Sequence, residues 1–359
     1  MDNLKKLVSI RTDSSCDKCI EYISSFLKEK VKEIKVIKSK ENGCNALLVG
    51  INTYLQDIEP IVLSGHIDTV PANKQLYSTD PYTLTEKNGK MYGLGSIDMK
   101  SFIAVIMDNI DKLCMVSKPI IMALTTDEET NLYSVNAIIE EFKRLNIKPV
   151  FTVIGEPTDM DFCTTANACY EYEVFFEGLS CHSCNPSLGV NAIYACAKLI
   201  SYIEDKQKQY RLTSNCGLVS GGEAINIVPD RASVRFDIRG CYEEDIQEFL
   251  ADIQSKIKSL EAEYKGLVCR KIQTLNIPSL NVQDSPYVQK LSEKLKVKTK
   301  AFIAGCEAGY FYQYSGLAVI FGVGQLSLAH KPNEYVVIDE YYKYSKLLLD
   351  LINELAIML

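Results

Sequence analysis

Short apolar runs that end in polar residues recur through the first 160 positions: NALLVGI (45–51), PIVLSGHID (60–68), PIIMALTTDEE (119–129) and PVFTVIGEP (149–157). Runs of this length, bounded by turn-forming residues, read as buried strands. Helical spacing lies before and between them. Ile20, Ile23, Phe26, Leu27 and Val31 share one face of residues 17–33, and SFIAVIMDNIDKLC (101–114) and SVNAIIEEFKRL (134–145) carry the same period. Strands alternating with helices predict an α/β domain on a mostly parallel sheet. Sites in such sheets gather where the carboxyl ends of strands meet their loops. Three of the four runs end in His, Asp or Glu.

The pattern changes after about residue 168. YEYEVFFEG (170–178) alternates like a strand with one solvated face, GVNAIYACAKLISYIED (189–205) is helical, ASVRFDIRG (232–240) is a strand, and EEDIQEFLADIQSKIKSL (243–260) is helical again. This order predicts a smaller inserted α+β domain over 169–275. The first domain then comprises 1–168 and 276–359, its return marked by the buried-type strand SGLAVIFGVG (315–324) and a closing helix, EYYKYSKLLLDLINELAIML.

The chain has 359 residues, 47% of them hydrophobic, enough for about two domain cores. A net charge of −7 argues against a phosphate-binding surface and so against a nucleic-acid partner. The start, MDNLKKLVSIRTDSS, has no apolar core of a secretory signal, and no segment approaches the ~20 apolar residues that span a bilayer. Thirteen cysteines at irregular spacings fit reduced thiols, so the expectation is a cytoplasmic protein with no membrane partner.

Only three histidines are present, which makes GHID conspicuous. His66 and Asp68, at i and i+2, share one face of a strand end. That suits a metal-binding imidazole steadied by a carboxylate, or simply a polar pair closing a strand. YGLGSIDMKS delivers Asp98 after a glycine-rich turn, TTDEET places Glu128 and Glu129 after an apolar strand, IGEPT adds Glu156, and LAHKPNEYV adds His330. Adjacent carboxylates repel unless cations or protons hold them, so DEE is either a solvated loop or a metal site. Imidazole and carboxylate ligands together suit two catalytic zinc ions, with cobalt or manganese as substitutes.

In order, GHIDTVP, YGLGSIDMKS, TTDEET, IGEPT, CHSCNPSLGVNAI, GGEAINIVPDRASVRFDIR and AHKPNEYV resemble the di-zinc deacetylase and exopeptidase family of acetylornithine deacetylase, succinyl-diaminopimelate desuccinylase and carboxypeptidase G. The YGLG, IGEPT and AHKPNEY forms resemble the acetylornithine deacetylase branch. The resemblance implies a zinc-exopeptidase-like catalytic domain with a ferredoxin-like insert that serves as lid and forms a homodimer. It implies two zinc ions per chain: His66 and Glu156 on one, His330 and Glu129 on the other, and Asp98 bridging, with a cis peptide after Asp98. Asp68 would orient His66, and Glu128 would be the general base. His182, Asn226 and Arg239 would bind substrate, His182 by reaching into the neighbouring subunit's site. The expected reaction is hydrolysis of an N-acetyl amino acid, N2-acetyl-L-ornithine to L-ornithine plus acetate in arginine biosynthesis. The alternatives are desuccinylation of N-succinyl-diaminopimelate, deacetylation of N-acetylcitrulline, or dipeptide hydrolysis.

Two departures bear on substrate. AGCEAGYF keeps Glu307 and Ala308 of a TEAP-type loop but carries Cys306 and Gly309 for threonine and proline, and NACYEYEV lacks the Lys-Gly-His expected before the insert. Both touch loops that the resemblance gives to substrate recognition. Cys181 and Cys184 form a C-x-x-C, but no second such pair completes a zinc site. The rival from another class is a non-catalytic binding member of the fold. Loss of a ligand or of the base would mark it, and all six key positions are present.

Overall fold

The computed structural model describes residues Met1–Leu359, which divide into two compact units, Met1–Thr165 with Val282–Leu359 and Ala166–Asn281. Its principal strands, in chain order, are β1 (Glu33–Lys38), β2 (Asn45–Gly50), β3 (Ile61–His66), β4 (Ile120–Thr125), β5 (Phe151–Ile154), β6 (Phe162–Ala166), β7 (Ala168–Glu177), β8 (Thr213–Gly221), β9 (Arg231–Gly240), β10 (Val268–Ile277) and β11 (Ala318–Ile320). The principal helices are α1 (Asp2–Ser9), α2 (Asp17–Leu27), α3 (Lys100–Asp108), α4 (Tyr133–Arg144), α5 (Ala192–Lys206), α6 (Glu243–Glu263), α7 (Ala308–Ser315) and α8 (Ile338–Met358). No helix is long and apolar enough to cross a membrane.

In the first unit the sheet runs β1-β2-β4-β3-β5-β11-β6. β4, β3, β5 and β11 are mutually parallel, which agrees with their continuous apolar runs: all six residues of β3 and of β4 are buried. The margins differ from the expected parallel pattern. β2, the NALLVGI run, lies antiparallel to β4 and forms a hairpin with β1. EIKVIK of β1 alternates too briefly, and is too solvated, to stand out beside the helix before it.

The pleat sends neighbouring residues of β3 to opposite faces. At Gly65 a side chain would collide with Met99 and Phe102 of the α3 segment, whereas the Ser64 side chain reaches Glu307 at the start of α7. α3 and α7 therefore cover opposite faces. α3 also anchors the start of the chain: the buried Lys100 donates Nζ to the carbonyls of Leu7 at 3.2 Å and Ile10 at 3.0 Å.

The second unit follows the order β7-α5-β8-β9-α6-β10, with a four-stranded sheet ordered β8-β9-β7-β10 and every pairing antiparallel. This is the ferredoxin-like arrangement. Val174 and Phe176 of β7, Val234 and Phe236 of β9, Leu199 of α5 and Ile253 of α6 fill its core. Asn191 caps α5 by accepting the Tyr194 N–H at 3.1 Å, satisfying one of the donors a helix start leaves open. β8 and β10 carry mainly exposed residues, so no buried alternation marks them in the sequence.

Candidate metal centre

The four parallel strands end in the residues singled out by the sequence. His66 closes β3, Glu128 and Glu129 follow β4, Glu156 follows β5, and His330 lies in the loop after β11. Asp98 arrives from the turn before α3, and its bond to Met99 is cis. These residues converge. His66 Nε2 is 2.9 Å from Asp98 Oδ1 and 3.6 Å from Glu156 Oε1. His330 Nε2 is 3.3 Å from Asp98 Oδ2 and 2.9 Å from Glu129. Asp98 thus turns one oxygen to each histidine.

The geometry fits cations. The ligand-capable atoms of His66, Glu128 and Glu156 all lie within 4.8 Å of one another, as do those of His66, Asp98 and Glu129. Glu156 Oε1 is buried without a hydrogen-bond partner, a costly state for a carboxylate oxygen unless a cation or proton meets it. A mixed set of imidazole nitrogen and carboxylate oxygen donors suits zinc, cobalt or manganese.

Residues 62–354 match the family described as Peptidase family M20/M25/M40. The chain belongs to that family. It is 30% identical to the acetylornithine deacetylase of Pasteurella multocida over 79% of this chain and 77% of that protein. It is 27% identical to that of Photorhabdus laumondii over 91% and 87%. Among solved structures, it resembles a tripeptidase from Staphylococcus aureus with a TM-score of 0.75 at 21% identity, covering 99% of this chain and 98% of the other. It also resembles a dinuclear metal-binding M20 peptidase from Bacillus subtilis with a TM-score of 0.72 at 15% identity, covering 100% and 97%. The M20 chain is a metal-dependent amide hydrolase.

Electrostatics of this M20 centre follow from crowding. Burial pushes the carboxyls of Glu156 and Glu128 well above the usual range, and neighbouring carboxylates add to it. Burial opposes charge on His66 too, but the nearby Asp68 carboxylate, the hydrogen bond to Asp98 and the charge of Glu156 prevail and raise it well above an ordinary histidine. Hydrogen bonds to Asp98 and Glu129 push His330 up to about 10. Burial also opposes the Asp98 charge, yet its bonds to His330 and His66 hold it below the carboxylate range. The cluster draws in positive charge, as protons or as metal ions.

Asp68 acts on His66 differently from the expected carboxylate contact. His66 Nδ1 lies 2.9 Å from the backbone carbonyl of Asp68 and 3.6 Å from Oδ1, so the carbonyl fixes the tautomer that leaves Nε2 facing Asp98. The Asp68 carboxylate accepts the Glu129 N–H through Oδ2 at 3.0 Å, tying the end of β3 to the Glu128–Glu129 turn.

Glu334 escaped the sequence reading. It is 2% exposed, and its carboxylate accepts the backbone N–H groups of Gly95, Ile97 and Asp98 at 2.9, 2.7 and 3.1 Å. It holds the turn that presents Asp98. The available signal was an acidic residue two positions before the apolar pair Val336–Val337 in AHKPNEYVV. Within the AGCEAGYF segment, Cys306 and Glu307 are buried, at 2% and 0% exposure.

His182, Asn226 and Arg239 belong to the second unit. His182 is exposed, and its Nδ1 accepts the Cys184 N–H at 3.2 Å, which leaves Nε2 as the protonated nitrogen of the neutral ring. The carbonyl of Asn226 accepts the Ser183 N–H at 3.0 Å. Arg239 pairs with Asp237 at 3.1 Å on a part-exposed surface.

Proposed function

We propose that this enzyme removes the acetyl group of N2-acetyl-L-ornithine to give L-ornithine and acetate, using two zinc ions that Co2+ or Mn2+ can replace. His66, Asp98 and Glu156 would hold one ion, and His330, Asp98 and Glu129 the other. The observation that carries this reading is Asp98, whose two oxygens meet two histidines at 2.9 and 3.3 Å. When bound, such a pair of cations polarises the amide carbonyl and lowers the pKa of the attacking water.

The protein's own groups move the proton. Glu128 lies within 4.8 Å of the ligand atoms of His66 and Glu156. It takes the proton of the water as the water adds to the carbonyl carbon. It returns that proton to the nitrogen as the C–N bond breaks. His182 of the neighbouring subunit, reaching over with its Nε2–H, donates to the carbonyl oxygen as negative charge develops there. Asn226 and Arg239 bind the substrate carboxylate, Arg239 in exchange for part of its contact with Asp237.

Two observations support a cationic amino acid. The relatives named acetylornithine deacetylase match most of the chain. In addition, a cavity of about 350 Å³ beside Asp68 and Glu129 is lined by Asp13, Asp17 and Asp127 as well, although Arg11 pairs with Asp13 and the Asp127 carboxylate accepts from Asn42 and from the Tyr133 and Ser134 N–H groups. The remaining acidic groups, Asp17, Asp68 and Glu129, suit an ammonium side chain better than an added carboxylate.

The second unit would pair with its copy. Leu218 and Val219 on the edge strand β8 are 61% and 66% exposed, and Ile225 is fully exposed. An uncovered apolar edge of this kind is a ready surface for a second strand. All thirteen cysteines are free, which supports a reducing cytoplasm. The deciding experiment compares hydrolysis of N-acetylornithine, N-acetylcitrulline and N-succinyl-diaminopimelate by the zinc-loaded protein. Greater kcat/KM for either of the latter two would replace the proposed substrate.

A further inference from the structure

Glu307 is buried completely and immediately precedes α7. Ser64 Oγ donates to its Oε1 at 2.6 Å, and Thr125 Oγ1 donates to its Oε2 at 2.8 Å. Ser64 stands two residues before His66 on the same face of β3. Thr125 ends β4, pairs in register with His66, and stands three residues before Glu128. The carboxylate therefore clamps the ends of two adjacent parallel strands whose next residues enter the metal centre.

A neutral side chain could bridge two hydroxyls, so the choice of an acid asks for a reason. Burying a carboxylate against two neutral donors leaves its charge poorly compensated. Burial accordingly pushes the Glu307 carboxyl above the usual range, and the two hydroxyls offset only part of that. Cations at the neighbouring His66 site would supply the missing compensation.

We propose that Glu307 is a positioning residue of the metal centre: through Ser64 and Thr125 it fixes His66 relative to the Glu128–Glu129 turn, and its charge helps retain the ion on the His66 side. This rests on the two-metal reading above. It gives the CEAG segment a role beneath the site in place of one in reading the substrate.

The test compares wild type, Glu307→Gln, Glu307→Ala and the double variant Ser64→Ala/Thr125→Val. The readouts are zinc affinity by competition with a chromophoric chelator, the visible spectrum of the Co2+-loaded protein, melting of the metal-free protein, and kcat and KM separately. Glu307→Ala should weaken binding of one ion by ~10-fold or more, the usual effect of losing a group behind a ligand. It should also shift the Co2+ bands and lower kcat with little change in KM. Glu307→Gln, which can still accept from one hydroxyl and donate to the other, should recover the spectrum but only part of the affinity. The double variant, keeping the charge without the clamp, should shift the spectrum more than it weakens binding. If Glu307→Ala does not fold, the Gln and double variants decide by the same criteria. Wild-type zinc affinity and an unchanged Co2+ spectrum in the folded variants, with lowered melting alone, overturn the positioning role and leave the two-metal reading standing. A wild-type protein that binds no metal overturns both.

Discussion

The carboxylate of Glu334 accepts the backbone N–H of Asp98 at 3.1 Å. The turn that offers the carboxylate shared by His66 and His330 is thus held by a side chain from 236 residues further along the chain. Glu334→Ala leaves three buried N–H groups without their acceptor, at a cost of about 2–4 kcal/mol. We expect lower melting together with zinc affinity reduced by ~10–100-fold, while Glu334→Gln, which retains an acceptor oxygen, falls between. Calorimetry and chelator competition on the same samples check this, and full zinc affinity in Glu334→Ala would count against it.

Glu128→Gln preserves the size of the side chain and removes its capacity to accept a proton. Turnover should fall by at least ~10²-fold, the usual scale of lost general-base catalysis, while both ions remain bound. Metal analysis beside steady-state kinetics separates the two effects. Turnover near that of wild type would assign proton transfer elsewhere.

Gly155 immediately precedes Glu156, and a Cβ there would lie 2.1 Å from the Phe102 ring and 2.5 Å from Met99. Both neighbours are buried, with no space to retreat. Gly155→Ala is expected to destabilise the protein by about 1–3 kcal/mol through overpacking and to weaken metal binding as Glu156 is displaced. A variant melting at the wild-type temperature would show that α3 yields more readily than its packing implies.

Away from the centre, hydrogen bonding to Arg144, opposed by partial burial and reinforced by Lys35, lowers the Glu141 carboxyl to about 2. Arg144 grips it through two bonds of 2.7 Å. Because the folded-state value lies below the ordinary 4.5, the unfolded chain binds more protons between those limits. This contribution is therefore complete above about pH 4.5 and is lost as pH falls toward 2. Arg144 is largely exposed, so the gain is below about 1 kcal/mol. The difference in stability between wild type and Glu141→Gln should shrink across that interval, and a pH-independent difference would contradict the assignment.

What the sequence made legible was whatever local pattern determines. β3, β4 and β5 are apolar on both faces and read as uninterrupted runs, and the histidines and carboxylates at their ends stood out as interruptions. β1, β8 and β10 were missed because their side chains are mostly solvated and leave no buried period. Glu307 and Glu334 were missed for another reason. Each is a single carboxylate whose partners come from distant segments, Ser64 and Thr125 for one and residues 95–98 for the other. Nothing within a few residues of either announces those contacts, and only the fold supplies them.

Lys100 gives the amino-terminal segment a part in the chemistry at long range. Its ammonium is satisfied by two carbonyls near the end of α1, and it stands two residues beyond Asp98. Trimming the first ten residues would remove both acceptors together with the helix that packs on α3, and so disturb the start of α3 two positions from the carboxylate shared by both histidines. Shortening the chain at a point remote in sequence would therefore act as an active-site mutation, and the place to look for the damage would be metal retention.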